Sequence, residues 1–198
     1  MRIPGVKIEL TEDHLAWMRV PTRFWGVRFD QIPDELRVDM QLYLHSLDQK
    51  IDDGIGLILW GPNGTRKTGA AVVAAMAARR SGASVLFITA ESFRQASLDK
   101  DKFDGDLLVT DRAMQVDVLV FDDLGKEHTS GDGAWVERLI ENLFRVRAAN
   151  KKVTIITTQM NPGQMEERYK LSMMEVLLES CVRIHVDGES LRKRPSLK

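Results

Sequence analysis

The chain has 198 residues, 43% apolar and 29% charged, which suits one compact domain with a substantial core and leaves little room for two full ones. A formal net charge of −1 excludes the global basic footprint of many nucleic-acid binders, so any such surface must be local. The single cysteine, Cys181, excludes an intramolecular disulfide, no Cys/His cluster has zinc spacing, and the longest apolar run, residues 55–60, is far too short to span a bilayer. A soluble, cytoplasmic protein with no membrane contact is expected.

Residues 1–33 hold Pro4, Pro21 and Pro33 and an aromatic, basic cluster with Arg23, Phe24, Trp25, Arg28 and Phe29. This is loop chemistry with something to pack against. Pro33-Asp34-Glu35 opens a helix, and Leu36, Met40, Leu44, Leu47 and Ile51 recur every three or four residues to make one apolar stripe that ends near Asp53-Gly54. From there short β-type runs alternate with helical patterns, the signature of a parallel sheet with helices on both faces. Strands are expected over residues 56–60, 84–89, 117–121, 153–158 and 182–186. An alanine-rich helix is expected over 69–80, two shorter helices over 91–115 split by the charged stretch 99–106, an amphipathic helix over about 133–149 and another over 162–180. Residues 190–198 read as a basic tail, which divides the chain into a segment and linker (1–33), a core (34–189) and the tail.

Gly61-Pro62-Asn63-Gly64-Thr65-Arg66-Lys67-Thr68 lies directly after the first strand and before the alanine-rich helix. In that setting backbone N–H groups and the helix dipole face an anion, while an amine and a hydroxyl reach phosphate and metal. Lys67 is expected on the β- and γ-phosphates and Thr68 on Mg²⁺, with ATP as the ligand. Arg66 stands where the motif has its second fixed glycine; a side chain there either crowds the phosphates or donates to them from a new direction. Four apolar residues, 118–121, then run into Asp122-Asp123 at the C-terminal strand edge, where open α/β sheets hold their ligands. Asp122 is expected to act on Mg²⁺ and Asp123 to polarise an attacking water as a base. The strand at 153–158 leads into Gln159; it places that side chain near the γ-phosphate if it lies between the other two strands, and is an ordinary strand end otherwise.

Together these residues resemble the AAA+ ATPases of the DnaC/IstB type, the group of replicative helicase loaders and transposition helper ATPases, from about Pro21 to about Arg192. The resemblance implies an α/β P-loop NTPase fold whose five-stranded parallel sheet has the order 5-1-4-3-2, with little or no C-terminal lid. It makes Lys67 and Thr68 the Walker A ligands, Asp122 and Asp123 the Walker B pair and Gln159 the sensor 1 residue. It also implies homo-oligomers with ATP at subunit junctions, a replicative helicase or transposase as partner, and DNA, single-stranded ahead of duplex. Those assemblies use an arginine finger from a neighbouring subunit, worth roughly 10³ to 10⁵ in rate. Here Ser172 and Val176 stand where relatives carry arginines, leaving Arg168, Arg145 and Arg147 as conceivable substitutes. A weak ATPase is therefore expected, with a non-hydrolysing adaptor as the alternative.

In loaders of this type single-stranded DNA is gripped by the helices between the second and third strands. Here Phe93, Arg94, Lys100 and Lys102 supply an aromatic and basic mixture suited to that contact, although Asp99, Asp101, Asp104 and Asp106 interleave with them. A second basic cluster, Arg145, Arg147, Lys151 and Lys152, contains no acid and is able to follow a phosphate backbone. A solvated surface is the plainer reading of both. Ile8, Leu10, Leu15, Trp17 and Met18 either dock a helicase or pack on their own core.

Overall fold

The computed structural model describes residues 7–98, 103–104, 107–127 and 133–188. Its elements in chain order are α1 (Glu12–Trp17), two single-turn 3-10 helices (Thr22–Phe24 and Phe29–Gln31), α2 (Asp34–His45), α3 (Leu47–Asp53), β1 (Gly56–Trp60), α4 (Lys67–Arg80), β2 (Val85–Thr89) and α5 (Ala90–Leu98). They continue as β3 (Phe103–Asp104), β4 (Leu107–Leu108), α6 (Val109–Gln115), β5 (Val118–Leu124), α7 (Gly133–Ala149), β6 (Val153–Thr158), α8 (Pro162–Ser180) and β7 (Cys181–His185).

Five strands pair in parallel in the order β2-β5-β6-β1-β7. Counting these strands alone gives 2-3-4-1-5, the expected order seen from the other edge. The central strands are buried on both faces, as near-continuous Val/Ile/Leu runs require when helices cover a parallel sheet. Alternate residues feed two cores. Leu57, Leu59, Val118, Val120 and Ile155 pack against α2, α3 and α4, while Ile58, Leu119, Phe121 and Ile156 pack against α5 to α8.

Several boundaries differ from the sequence-based expectation for physical reasons. The apolar stripe over 36–51 belongs to two helices, broken at Ser46 (φ −112°, ψ 29°), and Tyr43 is buried beside it with its hydroxyl donating to Ile55 O (2.9 Å). Gly54 ends α3 at φ +76°, where a Cβ would lie 2.5 Å from Lys151 Cα. β5 runs three residues past its expected end, because Asp122 pairs with Thr89 and Leu124 with Thr158. α8 spans the expected residues, capped by the Asn161 side chain with Pro162 in its first turn. Of the antiparallel pair, β3 lies within the stretch 99–106 expected to separate two helices and β4 takes the residues directly after it, where the second of those helices was expected to begin.

The N-terminal apolar residues pack largely on their own core. Leu15, Met18 and Val20 are buried, Leu10 packs beside them, and the Phe87 amide donates to Met18 O (2.7 Å). Trp17 stays 62% exposed, with the Arg112 guanidinium over its ring at 4.5 Å. The expected tail, 190–198, lies outside the described residues. Among the described residues no helix is long and apolar enough to cross a membrane.

Candidate functional site

The loop from β1 to α4 turns through left-handed backbone at Gly64 (φ 85°) and Arg66 (φ 61°). At Gly61 a Cβ would meet Val186 O at 2.2 Å, so the close approach of β7 requires glycine there. The turn aims the N-terminus of α4 into a cleft. Lys67 is buried, its Nζ donating to Gly61 O (2.8 Å), Pro62 O (2.5 Å) and Thr65 Oγ1 (3.3 Å). Thr68 Oγ1 donates to Asp122 Oδ1 (2.9 Å), and the same oxygen accepts from Thr157 Oγ1 (2.6 Å). Thr157 Oγ1 in turn accepts from the Asp123 amide (3.0 Å). Three elements thus meet on one carboxylate, which follows from β6 lying between β1 and β5.

Burial pushes the Asp122 carboxyl above its ordinary value, aided by the neighbouring Asp123 charge and opposed by the Thr157 and Thr68 hydrogen bonds. Asp123 has left-handed backbone (φ 60°) and forms an ion pair with Lys126 (2.7 Å). Gln159 follows the last residue of β6 and is half-buried, but it is not among the residues lining the cleft.

The cleft has a volume of about 570 Å³, in the range of small-molecule sites. The loop from Asn63 to Gly69 and Asp123 form one side; Arg23, Phe24, Gly26, Val27 and Gln31 form the other. In sequence, residues 21–29 are an aromatic, basic loop with something to pack against and a lead-in to the core. Their one signal was the aromatic cluster of Phe24, Trp25 and Phe29 among basic residues, and Trp25 is spent on packing, its Nε1 donating to Val20 O (2.7 Å). The donor set fits a nucleoside triphosphate with a divalent cation: loop amides and Lys67 for phosphates, Thr68 and Asp122 for the cation, Phe24 and Val27 as apolar surface for a base. Among the described residues no group of three His, Cys, Asp or Glu could hold a metal by itself.

Beyond the cleft, Glu127 is buried and ties the turn after β5 to α8. It accepts from Gly125 N (2.9 Å) and from the Tyr169 hydroxyl, and pairs with Arg168 (2.8 Å). Arg168 also donates to Gly125 O (2.9 Å), so this substitute for a finger is engaged within its own chain. Ser172 donates to Glu141 (2.7 Å).

Two of the expected DNA contacts are corrected. Phe93 is 2% exposed and packs edge-on against Phe121 at 5.6 Å, so no base can stack on it. Arg147 is fully buried, donating to Ala113 O, Val116 O, Val153 O and Thr154 Oγ1, so it is neither a phosphate contact nor a finger. Arg94 is paired with Glu91 (2.9 Å), Arg145 with Glu141 (2.8 Å) and Lys152 with Asp117 (2.8 Å). Lys151 is exposed, and Lys100 and Lys102 lie outside the described residues.

A sequence profile of the IstB-like ATP binding protein family matches residues 35–198. Among solved structures, the DnaC helicase loader is similar with a TM-score of 0.70 at 24% identity, over 84% of this chain and 100% of that one. DnaI is similar with a TM-score of 0.68 at 22% identity, over 86% and 96%. The replication initiator DnaA bound to AMPPCP and single-stranded DNA is similar with a TM-score of 0.67 at 17% identity, over 83% of this chain and 51% of that one, so the chain spans about half its length. No curated protein matches by sequence. At these identities the structural likenesses establish the fold, an AAA+ type P-loop sheet.

Proposed function

Because the chain belongs to the family of IstB-like ATP-binding proteins, we propose that it binds ATP with Mg²⁺ in the cleft and serves as a weakly hydrolysing switch in loading a replicative helicase onto DNA. The observation that carries the reading is the shared Asp122 oxygen, which holds the Thr68 and Thr157 hydroxyls together beside Lys67 and the 570 Å³ cleft. Lys67 and the loop amides would hold the phosphates, and Thr68 with Asp122 would hold the cation. Bound Mg²⁺ would supply charge neutralisation on the phosphates. Asp123 would orient or deprotonate water once freed from Lys126, and Gln159, which follows β6, would serve as the polar sensor.

Weak hydrolysis is supported by Ser172 and Val176 in place of arginines and by the engagement of Arg168 with Glu127. Likeness to the DnaC helicase loader and to a DnaA structure holding single-stranded DNA supports the loader role. The family's IstB-like description supports a second reading, a transposition helper on duplex DNA. Either role calls for homo-oligomers. The test is Mg²⁺-dependent ATP binding and turnover by wild type and Lys67→Ala, followed by binding assays with single-stranded DNA plus helicase against duplex DNA plus transposase. Wild type should bind ATP, the variant should lose at least about tenfold in affinity, roughly one charge-assisted hydrogen bond, and turnover should stay on the order of 10³ below finger-equipped relatives. Fast turnover abolished by Lys67→Ala would sink the weak-switch reading, and preference for duplex DNA with transposase would select the second.

A further inference from the structure

We propose that Arg66 is a positioning residue that clasps the phosphate loop to the opposite wall of the cleft, so that nucleotide leaves only when this clasp parts. The inference rests on the reading of the cleft as a nucleotide site. Arg66 precedes α4 in left-handed backbone (φ 61°, ψ 22°), a conformation that favours glycine, and its side chain caps nothing on its own helix. Instead its Nη1 reaches 35 residues back and donates to Gln31 O at 2.9 Å.

That acceptor is held from a second direction. The flanking carbonyls, Asp30 O and Ile32 O, both accept from Arg37 Nη2 (3.1 and 2.9 Å), and Arg37 projects from α2, paired there with Asp34 (2.6 Å). Three successive carbonyls are thus gripped by two arginines, one on a helix of the core and one on the phosphate loop. Gln31 and Arg66 both line the cleft, and Phe24 and Val27 share the Gln31 side. The Arg66 side chain therefore ties the two walls together. Of the two directions left open by the sequence, the guanidinium takes neither here: its Nη1 is aimed at main chain. A ligand touching both walls is retained by the clasp whatever its number of phosphates.

The test uses the full chain as wild type, Arg66→Ala, Arg66→Gly and Arg66→Lys, with Mg²⁺ and two fluorescent probes, mant-ADP and non-hydrolysable mant-AMPPNP, chased by excess unlabelled nucleotide in stopped flow. Glycine suits the positive φ, so that variant keeps the loop while losing the side chain. Release of both probes should quicken about tenfold in the Ala and Gly variants, the scale of one charge-assisted hydrogen bond, with Lys intermediate. Amide exchange over residues 28–33 of the nucleotide-free protein should rise in the same two variants. Unchanged release, tighter binding by Arg66→Gly, or an effect confined to mant-AMPPNP would each overturn the clasp, the last two by assigning Arg66 to the phosphates. Failure of wild type to bind either probe would instead sink the nucleotide reading, and the exchange over 28–33 would then decide the clasp alone.

Discussion

Arg147 shows how one side chain can serve as architecture where its neighbours suggest a surface. Its guanidinium satisfies carbonyls at the end of α6 and at the start of β6, and burial lowers its pKa to about 9. Arg147→Met should cost about 3–5 kcal/mol in urea unfolding, because those carbonyls lose their donor inside the core. DNA affinity per folded molecule should not change. The spacing held the clue: Val136, Ile140, Leu143, Phe144 and Arg147 fall on one helical stripe, so the arginine belonged to the buried face although its sequence neighbours are basic. Asp117 lies close by. Burial disfavours its charge, but hydrogen bonds from Lys152 and Ser84 outweigh this and lower its pKa from 3.8 to about 2. A depressed folded-state value contributes stability that is present above the unfolded pKa and lost as pH falls from about 4 to about 2. Asp117→Asn should therefore be less stable than wild type by about 1–2 kcal/mol at neutral pH and nearly equal to it near pH 2, as urea melts at the two pH values would show.

The element that carries the acidic pair is β5, and its C-terminal turn is fastened to α8 through Glu127. Glu127→Gln keeps the shape but removes the charge facing Arg168, so a loss of about 2 kcal/mol in thermal or urea unfolding is expected, together with faster amide exchange at residues 123–126. Unchanged exchange there would show that the turn holds without α8. Strands and long helices were legible because their periodicity is set by burial. The break at Ser46 was not, since no glycine or proline marks it and the apolar stripe continues across it. Nor was the second wall of the cleft: residues 22–31 form two single-turn 3-10 helices, too short to show a period. The phosphate loop, Thr68 and the acidic pair were legible as a constellation, whereas for Thr157, which joins Asp122 to the Asp123 backbone, the sequence shows only a polar end to a β-branched strand and no partner.

In the whole molecule, the N-terminal segment is a structural part of the ATP-binding core. Leu15, Met18 and Val20 are buried, each worth roughly 1.5–3 kcal/mol, against a total stability of about 5–15 kcal/mol for such a domain. Removing residues 1–20 should therefore lower the melting midpoint sharply or abolish folding, as far-UV circular dichroism would report; an unchanged melt would show the segment to be an appendage. The same segment has a topological effect. β2 and β7 end the sheet, and the Phe87 amide of β2 is already taken by Met18 O, while Val182, Arg183 and His185 of β7 face solvent. Strand addition at β2 would have to displace the N-terminal segment from Phe87, and at β7 it would meet the exposed charge of Arg183. Pairing of a second chain through a sheet edge would thus cost this protein either its own N-terminal packing or the burial of a charge.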